Sequence, residues 1–112
     1  MGISTHILDT ALGKPAANVP VSLARWQNAD WILLNSASTD ADGRVKHFLP
    51  ADRALEPGLY RARFETAAYH KSQGIHGLYP YVDIVFEVQP DESHYHIPLL
   101  LTANGYTTYR GS

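Results

Sequence analysis

Apolar and polar residues alternate with a period of two along most of this chain, the signature of β-strands that bury one face. Val19, Val21 and Leu23 share a face around Pro20, Ser22 and Ala24. Tyr60, Ala62, Phe64 and Thr66 oppose Arg61, Arg63 and Glu65. Val82, Ile84, Phe86 and Val88 oppose Tyr81, Asp83, Val85 and Glu87. Tyr95, Ile97, Leu99 and Leu101 oppose His94, His96, Pro98 and Leu100, and Trp31 to Leu34 is a near-continuous apolar run. Turn residues recur every ten or so positions, at Gly13-Lys14-Pro15, Asn28-Ala29-Asp30, Asp42-Gly43, Glu56-Pro57-Gly58, Gly77 to Pro80, Pro90-Asp91 and Asn104-Gly105. Asp42-Gly43 and Asn104-Gly105 are strong hairpin signals, because both residue types tolerate positive φ. One stretch, residues 66–73, is rich in Ala, Lys and Gln and does not alternate. It predicts a short helix capped by Thr66 and ended by Gly74. The pattern as a whole predicts an all-β sandwich of about seven or eight strands with one short helix.

The remaining bulk properties narrow the function. The 112 residues suit one domain, spanning 1–112, and 45% are hydrophobic, which supports a core without staples. The net charge of −2 comes with scattered rather than clustered Lys and Arg, so neither nucleic acid nor an anionic membrane is an expected partner. Absence of cysteine excludes disulfides and thiolate zinc sites. No apolar run reaches the ~20 residues of a membrane span. Ile3 to Leu8 lacks the basic and apolar regions of a signal peptide, and His6 stands where a myristoylation motif wants Ser or Thr. The cytoplasm is the simplest location; a processed periplasmic form stays open.

Histidine carries the candidate chemistry. His94 and His96 point away from the apolar face of their strand, and Pro98 follows on their side. Since proline cannot donate to a ladder, that strand is expected at an edge or bulged there. His6 shares a face with Ser4 and Leu8, and the Asp42-Gly43 turn would present Arg44. A lone strand histidine is usually a solvated or hydrogen-bonded bystander, and His47, His70, His76 and His94 are read that way. Asp9 is read as a turn starter. No Gly-x-Ser-x-Gly elbow, phosphate loop or convincing metal-ligand spacing is present. What remains is acid–base chemistry on water, without metal or cofactor, with a cation and hydroxyls to hold a carbonyl-rich anion. The final residues, Tyr109-Arg110-Gly111-Ser112, put an aromatic, a cation, a glycine and a hydroxyl directly behind a patterned strand.

Four segments resemble the 5-hydroxyisourate hydrolases, the transthyretin-related enzymes of urate breakdown. They are Ser4 to Thr10 with Gly13-Lys14-Pro15-Ala16, Thr39 to Arg44, Leu78 to Val82, and Tyr95 to Leu101 through Tyr109-Arg110-Gly111-Ser112. The resemblance implies a transthyretin-like pair of four-stranded sheets with a short helix between strands, assembled as a homotetramer, a dimer of dimers. It implies His6, Arg44 and His96 as catalytic residues and Tyr109, Arg110, Gly111 and Ser112 as substrate-binding ones, in a channel between dimers. The implied substrate is 5-hydroxyisourate, whose cyclic amide is opened to 2-oxo-4-hydroxy-4-carboxy-5-ureidoimidazoline. Thr102-Ala103-Asn104-Gly105 departs from the Ser-Pro-x-Gly of many relatives, in a turn. The rival readings are a transthyretin-like carrier without catalysis and a plain interaction module. Transthyretin lacks the two histidines and the Tyr-Arg-Gly-Ser ending found here.

Overall fold

The computed structural model describes residues 2–112, which fold into two packed sheets. In chain order the elements are β1 (Gly2–Asp9), β2 (Lys14–Pro15), β3 (Pro20–Gln27), β4 (Asp30–Ser38), β5 (Arg44–Val45), β6 (Gly58–Phe64), α1 (Thr66–Ser72), β7 (Val82–Val88), β8 (His94–Thr102) and β9 (Gly105–Thr108). One sheet runs β2-β1-β8-β9, with β5 also on β1; the other runs β4-β3-β6-β7. The expected all-β sandwich with one helix is therefore the observed architecture, with nine strands among the described residues and a first sheet of five strands where four were expected.

Alternation works as expected where strands have neighbours on both sides. Ile3 and Ile7 of β1 and Ile97, Leu99 and Leu101 of β8 point inward, against Val21 and Leu23 of β3 and Tyr60, Ala62 and Phe64 of β6. Burying each such side chain contributes about 1.5–3 kcal/mol. The Trp31 to Leu34 run behaves differently. It lies in β4, an edge strand with only β3 beside it, and Leu33 is 61% exposed. A bulge between Leu23 and Ala24 shifts the β3–β4 register next to it.

Three local expectations are corrected. Thr66 is the first residue of α1, not its cap; Glu65 takes the cap position without a side-chain hydrogen bond. Thr66 continues the inward alternation of β6 and is buried, so its hydroxyl faces the core instead of the free helix N–H groups. The β8–β9 hairpin forms where Asn104-Gly105 predicts one, but Thr102 pairs with Gly105, so its loop is Ala103-Asn104 and neither Asn104 nor Gly105 has positive φ. The hairpin that does use paired positive φ values is β3–β4, at Asn28 (55°) and Ala29 (59°). Finally, β8 is not an edge strand: β1 runs parallel to it on one side and β9 antiparallel on the other.

Pro98 is tolerated inside the sheet because its partner steps away. Leu99 pairs with Thr108, and His96 pairs with Gly111 through a Gly111 N–H bond to the His96 carbonyl of 2.9 Å. The same register sets Pro98 against Tyr109, where alternation of the ladder calls for a Pro98 N–H that does not exist. The ladder lapses at Tyr109 and Arg110 and resumes for one bridge at Gly111.

The helix is tied to the first sheet by a buried polar contact. The Tyr69 hydroxyl donates to Asp9 Oδ2 at 2.7 Å, while Asp9 Oδ1 accepts the Leu12 N–H at 3.1 Å, the expected turn-starting role. Burial, then the Asp9 carboxylate, push the Tyr69 phenol well above its usual pKa.

Candidate active site on the outer face of the first sheet

Register brings the site together. On the outer face of the first sheet Arg44, His6 and Pro98 form one cross-strand row, and Ser4, His96 and Gly111 form the next. The His6 and His96 ring centroids are 6.5 Å apart. Ser4, Thr5, Arg44, Lys46 and His96 line an open concavity of about 460 Å³ here.

Arg44 reaches this row through a tight turn. The Asp40 carboxylate accepts the backbone N–H groups of Asp42 (2.9 Å) and Arg44 (3.0 Å), and Gly43 adopts φ +74°. A Cβ on Gly43 would stand 2.4 Å from the Ile7 carbonyl, so only glycine lets this turn close onto β1. The turn presents Arg44 as expected, but the hairpin that Asp42-Gly43 predicts does not form. The strand β5 that follows the turn pairs with β1, not with the preceding β4.

The electrostatics favour neutral imidazoles. Burial, then the Arg44 guanidinium, hold His6 below the ordinary 6.5, against the Asp42 carbonyl and the Asp40 and Asp42 carboxylates, which push it up. His96 is lowered by burial first, then by Arg44, His6 and His94. Both shifts favour the neutral imidazole, the form that can accept a proton.

The terminal segment divides. Gly111 lies directly on His96: a Cβ there would meet the His96 Cδ2 at 2.5 Å and the Pro98 Cγ at 3.2 Å. Arg110 turns the other way, over the Tyr95 ring at 4.3 Å, and pairs with Glu92 at 3.3 Å. Tyr109 and Ser112 are exposed. Within one chain, then, His6, Arg44, His96 and Gly111 are brought together, and the Arg110 side chain is directed away from them.

Two neighbours escaped the sequence reading. Ser4 Oγ lies 2.8 Å from His96 Nδ1 and 3.3 Å from His94 Nε2, which links the exposed His94 to His96 through one hydroxyl. Lys46, two residues beyond Arg44, adds a second cation to the concavity. The shared face of Ser4 and His6 was the available signal for Ser4; nothing local marks Lys46. His70 also departs from expectation. It is buried, neither ring nitrogen has a hydrogen-bond partner, and Gly77 packs on it. His47 and His76 are exposed, as expected of bystanders.

Among the described residues no group of three or more His, Asp or Glu side chains is arranged to hold a metal ion. Larger concavities of about 540 and 650 Å³ elsewhere are lined by neither His6 nor His96, whereas His96 lines this one. Among the described residues no helix is long and apolar enough to cross a membrane.

Comparison with known proteins shows the family and the fold. The profile of the HIUase/Transthyretin family matches residues 3–111. A 5-hydroxyisourate hydrolase of Salmonella typhimurium is 43% identical over 110 residues, covering 98% of this chain and 80% of that protein. The solved structure of Klebsiella pneumoniae 5-hydroxyisourate hydrolase superposes with a TM-score of 0.87 at 36% identity, covering all of both chains. The crystal structure of sea bream transthyretin in complex with thyroxine gives a TM-score of 0.91 at 30% identity, over 99% of this chain and 95% of that one.

Proposed function

The chain belongs to the HIUase/Transthyretin family, and we infer that it is an enzyme of the hydrolase branch, opening the cyclic amide of 5-hydroxyisourate in urate degradation. The fold alone does not separate hydrolase from carrier, since a hormone-bound transthyretin superposes as well as a hydrolase does. The observation that carries the reading is the pair of imidazoles, His6 and His96, 6.5 Å apart on the sheet face with Arg44 opposite His6. A carrier of an apolar ligand has no use for two depressed histidines against an arginine. A hydrolase needs a base for water and a cation for the oxyanion.

In the proposed mechanism a neutral imidazole takes a proton from water as it adds to the amide carbonyl. Arg44 holds the substrate oxygens and offsets the charge that develops on the attacked one. The ring C–N bond then breaks, the departing nitrogen is protonated, and the ureidoimidazoline product is released. Gly111 bounds the site over His96, Tyr109 and Ser112 contact the substrate ring, and Arg110 anchors the segment that carries them. The assay is the absorbance of freshly made 5-hydroxyisourate, whose decay the protein accelerates; thyroxine binding without acceleration would instead establish the carrier reading.

Arg44 supplies a test of geometry and one of charge. A guanidinium grips two oxygens at once and an ammonium does not, so Arg44→Lys is expected to leave most of the activity lost in Arg44→Ala unrestored. Full activity in Arg44→Lys would reduce the role to charge. Because Arg44 disfavours the imidazolium forms, Arg44→Gln should raise the pKa of both His6 and His96. Imidazole proton NMR of that variant should show both titrations at higher pH than in the parent, and any residual activity should be lost at a higher pH on acidification. Unmoved titrations would exclude the coupling.

We further propose a homotetramer, a dimer of dimers, with the site between dimers. The resemblance to the hydrolases supports it, as does the concavity's position on an open sheet face. Sedimentation should report four chains, and a fully active monomer would contradict it.

A further inference from the structure

Behind His96 lies a hydrogen-bonded chain that the mechanism above does not use. Ser4 stands opposite His96 in the parallel β1–β8 register, and Gly2 opposite His94, so the Ser4 side chain falls between the two rings on the outer face. Its hydroxyl has one hydrogen to give. It lies 2.8 Å from His96 Nδ1 and 3.3 Å from His94 Nε2. If it donates to one ring it must accept from the other, so the two tautomers are tied together. Gly111, packed on the His96 Cδ2 side, leaves the ring little room to turn over. With Nδ1 committed to Ser4, Nε2 is the nitrogen left for substrate and water.

We propose that Ser4 and His94 form a proton relay for His96, moving the proton taken from water to the solvent-exposed His94 and returning it when the ring nitrogen departs. The proposal rests on the reading of His96 as a catalytic base. In the forward direction the attacking water loses a proton to His96 Nε2, and its O–H electron pair goes into the new C–O bond. His96 passes its Nδ1 hydrogen to Ser4 Oγ, and Ser4 passes its own hydrogen to His94 Nε2. The positive charge then rests on His94. On collapse each transfer reverses. His94 returns a proton to Ser4 and Ser4 returns one to His96 Nδ1, while His96 Nε2–H protonates the leaving nitrogen and the C–N bond breaks. No proton is gained or lost over the cycle.

The surroundings of His96 give the relay a purpose. His6 and Ser4 face it from β1, Arg44 and Lys46 from β5 and the residue after it, and His94 from β8 itself; Gly111 faces it from the terminal segment, whose Arg110 side chain lies on the other side. A charge kept on His96 would sit against Arg44, whereas His94 is exposed to solvent. Moving the charge one residue pair outward relieves that repulsion while keeping the proton within reach. Ser4 and His94 are thus positioning residues, acting through His96.

The test compares Ser4→Ala, Ser4→Thr and His94→Phe with the unmodified full chain over a range of pH. Ser4→Ala and His94→Phe should each lower kcat about tenfold, less than the ~10²-fold scale of losing the base itself. KM should hold within about twofold, and the acid limb of the kcat profile should move in both variants. Ser4→Thr, which keeps the hydroxyl, should restore most of the rate. Unchanged kcat and pH profile in both Ser4→Ala and His94→Phe, or a change confined to KM, would overturn the relay. His96→Asn separates the two levels. A dead His96→Asn beside a normal Ser4→Ala rejects the relay alone, whereas an active His96→Asn rejects the catalytic reading and the relay with it. Nitrogen NMR of the unmodified protein serves if a variant misfolds: His96 should hold one tautomer with Nδ1 hydrogen-bonded, and the tautomer mixture of free imidazole would overturn the proposal.

Discussion

Replacing His6 or His96 with asparagine is expected to lower turnover by about 10²-fold or more, the scale of losing acid–base help, with the sandwich intact. Both side chains project from the outer face of the first sheet, while the inward residues of their strands carry the core. Removing either ring therefore opens no core cavity. Asparagine keeps a planar polar group of similar reach but cannot accept and release a proton near neutrality. The loss should appear in kcat and survive saturation with substrate, because a base acts on the transition state and not on ground-state binding. The matched control is His70→Asn. His70 is buried beneath Gly77, so its substitution should lower the melting temperature and leave the turnover of the folded fraction nearly unchanged. Near-parental turnover in a folded His6→Asn or His96→Asn protein would remove that residue from the chemistry.

These expectations show which parts of the molecule local sequence could reveal. Strands with a core on one side, such as β6 and β8, announce themselves through alternation, because a one-residue slip would turn every apolar side chain outward. Edge strands vary: β7 still alternates, whereas Trp31 to Leu34 is a continuous apolar run in β4, which has a single neighbour and leaves Leu33 exposed. Thr66 reads as a cap, but it inherits the inward phase of β6, and burial prevails over local capping. Pro98 reads as an edge marker; an interior strand accepts it because the partner ladder lapses opposite it. The site divides in the same way. His6 and His96 stand out as polar groups on otherwise regular strands. Their adjacency, and the alignment of Arg44 with His6, depend on pairings between residues far apart in sequence. No local pattern encodes those, so the contacts of Ser4 and Lys46 with the site emerge only from the assembled sheet; the Asp42-Gly43 turn and the chemistry of the terminal residues draw notice to Arg44 and residues 109–112, and the resemblance to a family gives them roles.

Gly111→Val is expected to reduce turnover about as severely as His96→Asn, and deletion of residues 109–112 is expected to abolish hydrolysis, both with modest cost to stability. A Cβ at Gly111 would stand 2.5 Å from the His96 Cδ2, closer than two carbons can approach. One of the two must move. If the ring moves, it leaves Ser4 and the orientation of Nε2 is lost; if the terminal segment moves, the site loses the wall over His96. Either displacement misplaces a reacting group by a distance that costs ~10²-fold in rate. Stability depends far less on this contact. The segment beyond β9 is held by one backbone bridge, from Gly111 N–H to the His96 carbonyl, and by Arg110 against Tyr95 and the half-exposed Glu92. Such contacts contribute roughly 1–2 kcal/mol together, and each kcal/mol corresponds to about 4–8 °C in the melting temperature of a small domain. The core strands end before the deletion begins, so the truncated chain should melt cooperatively, several degrees lower. Gly111→Ala should fall between parent and Gly111→Val, because one methyl group can be accommodated by a smaller shift of the ring. Ring-opening rate measured beside thermal melting decides the matter: a truncated or Gly111→Val protein that is folded and turns over at the parental rate shows that this segment has no part in the site.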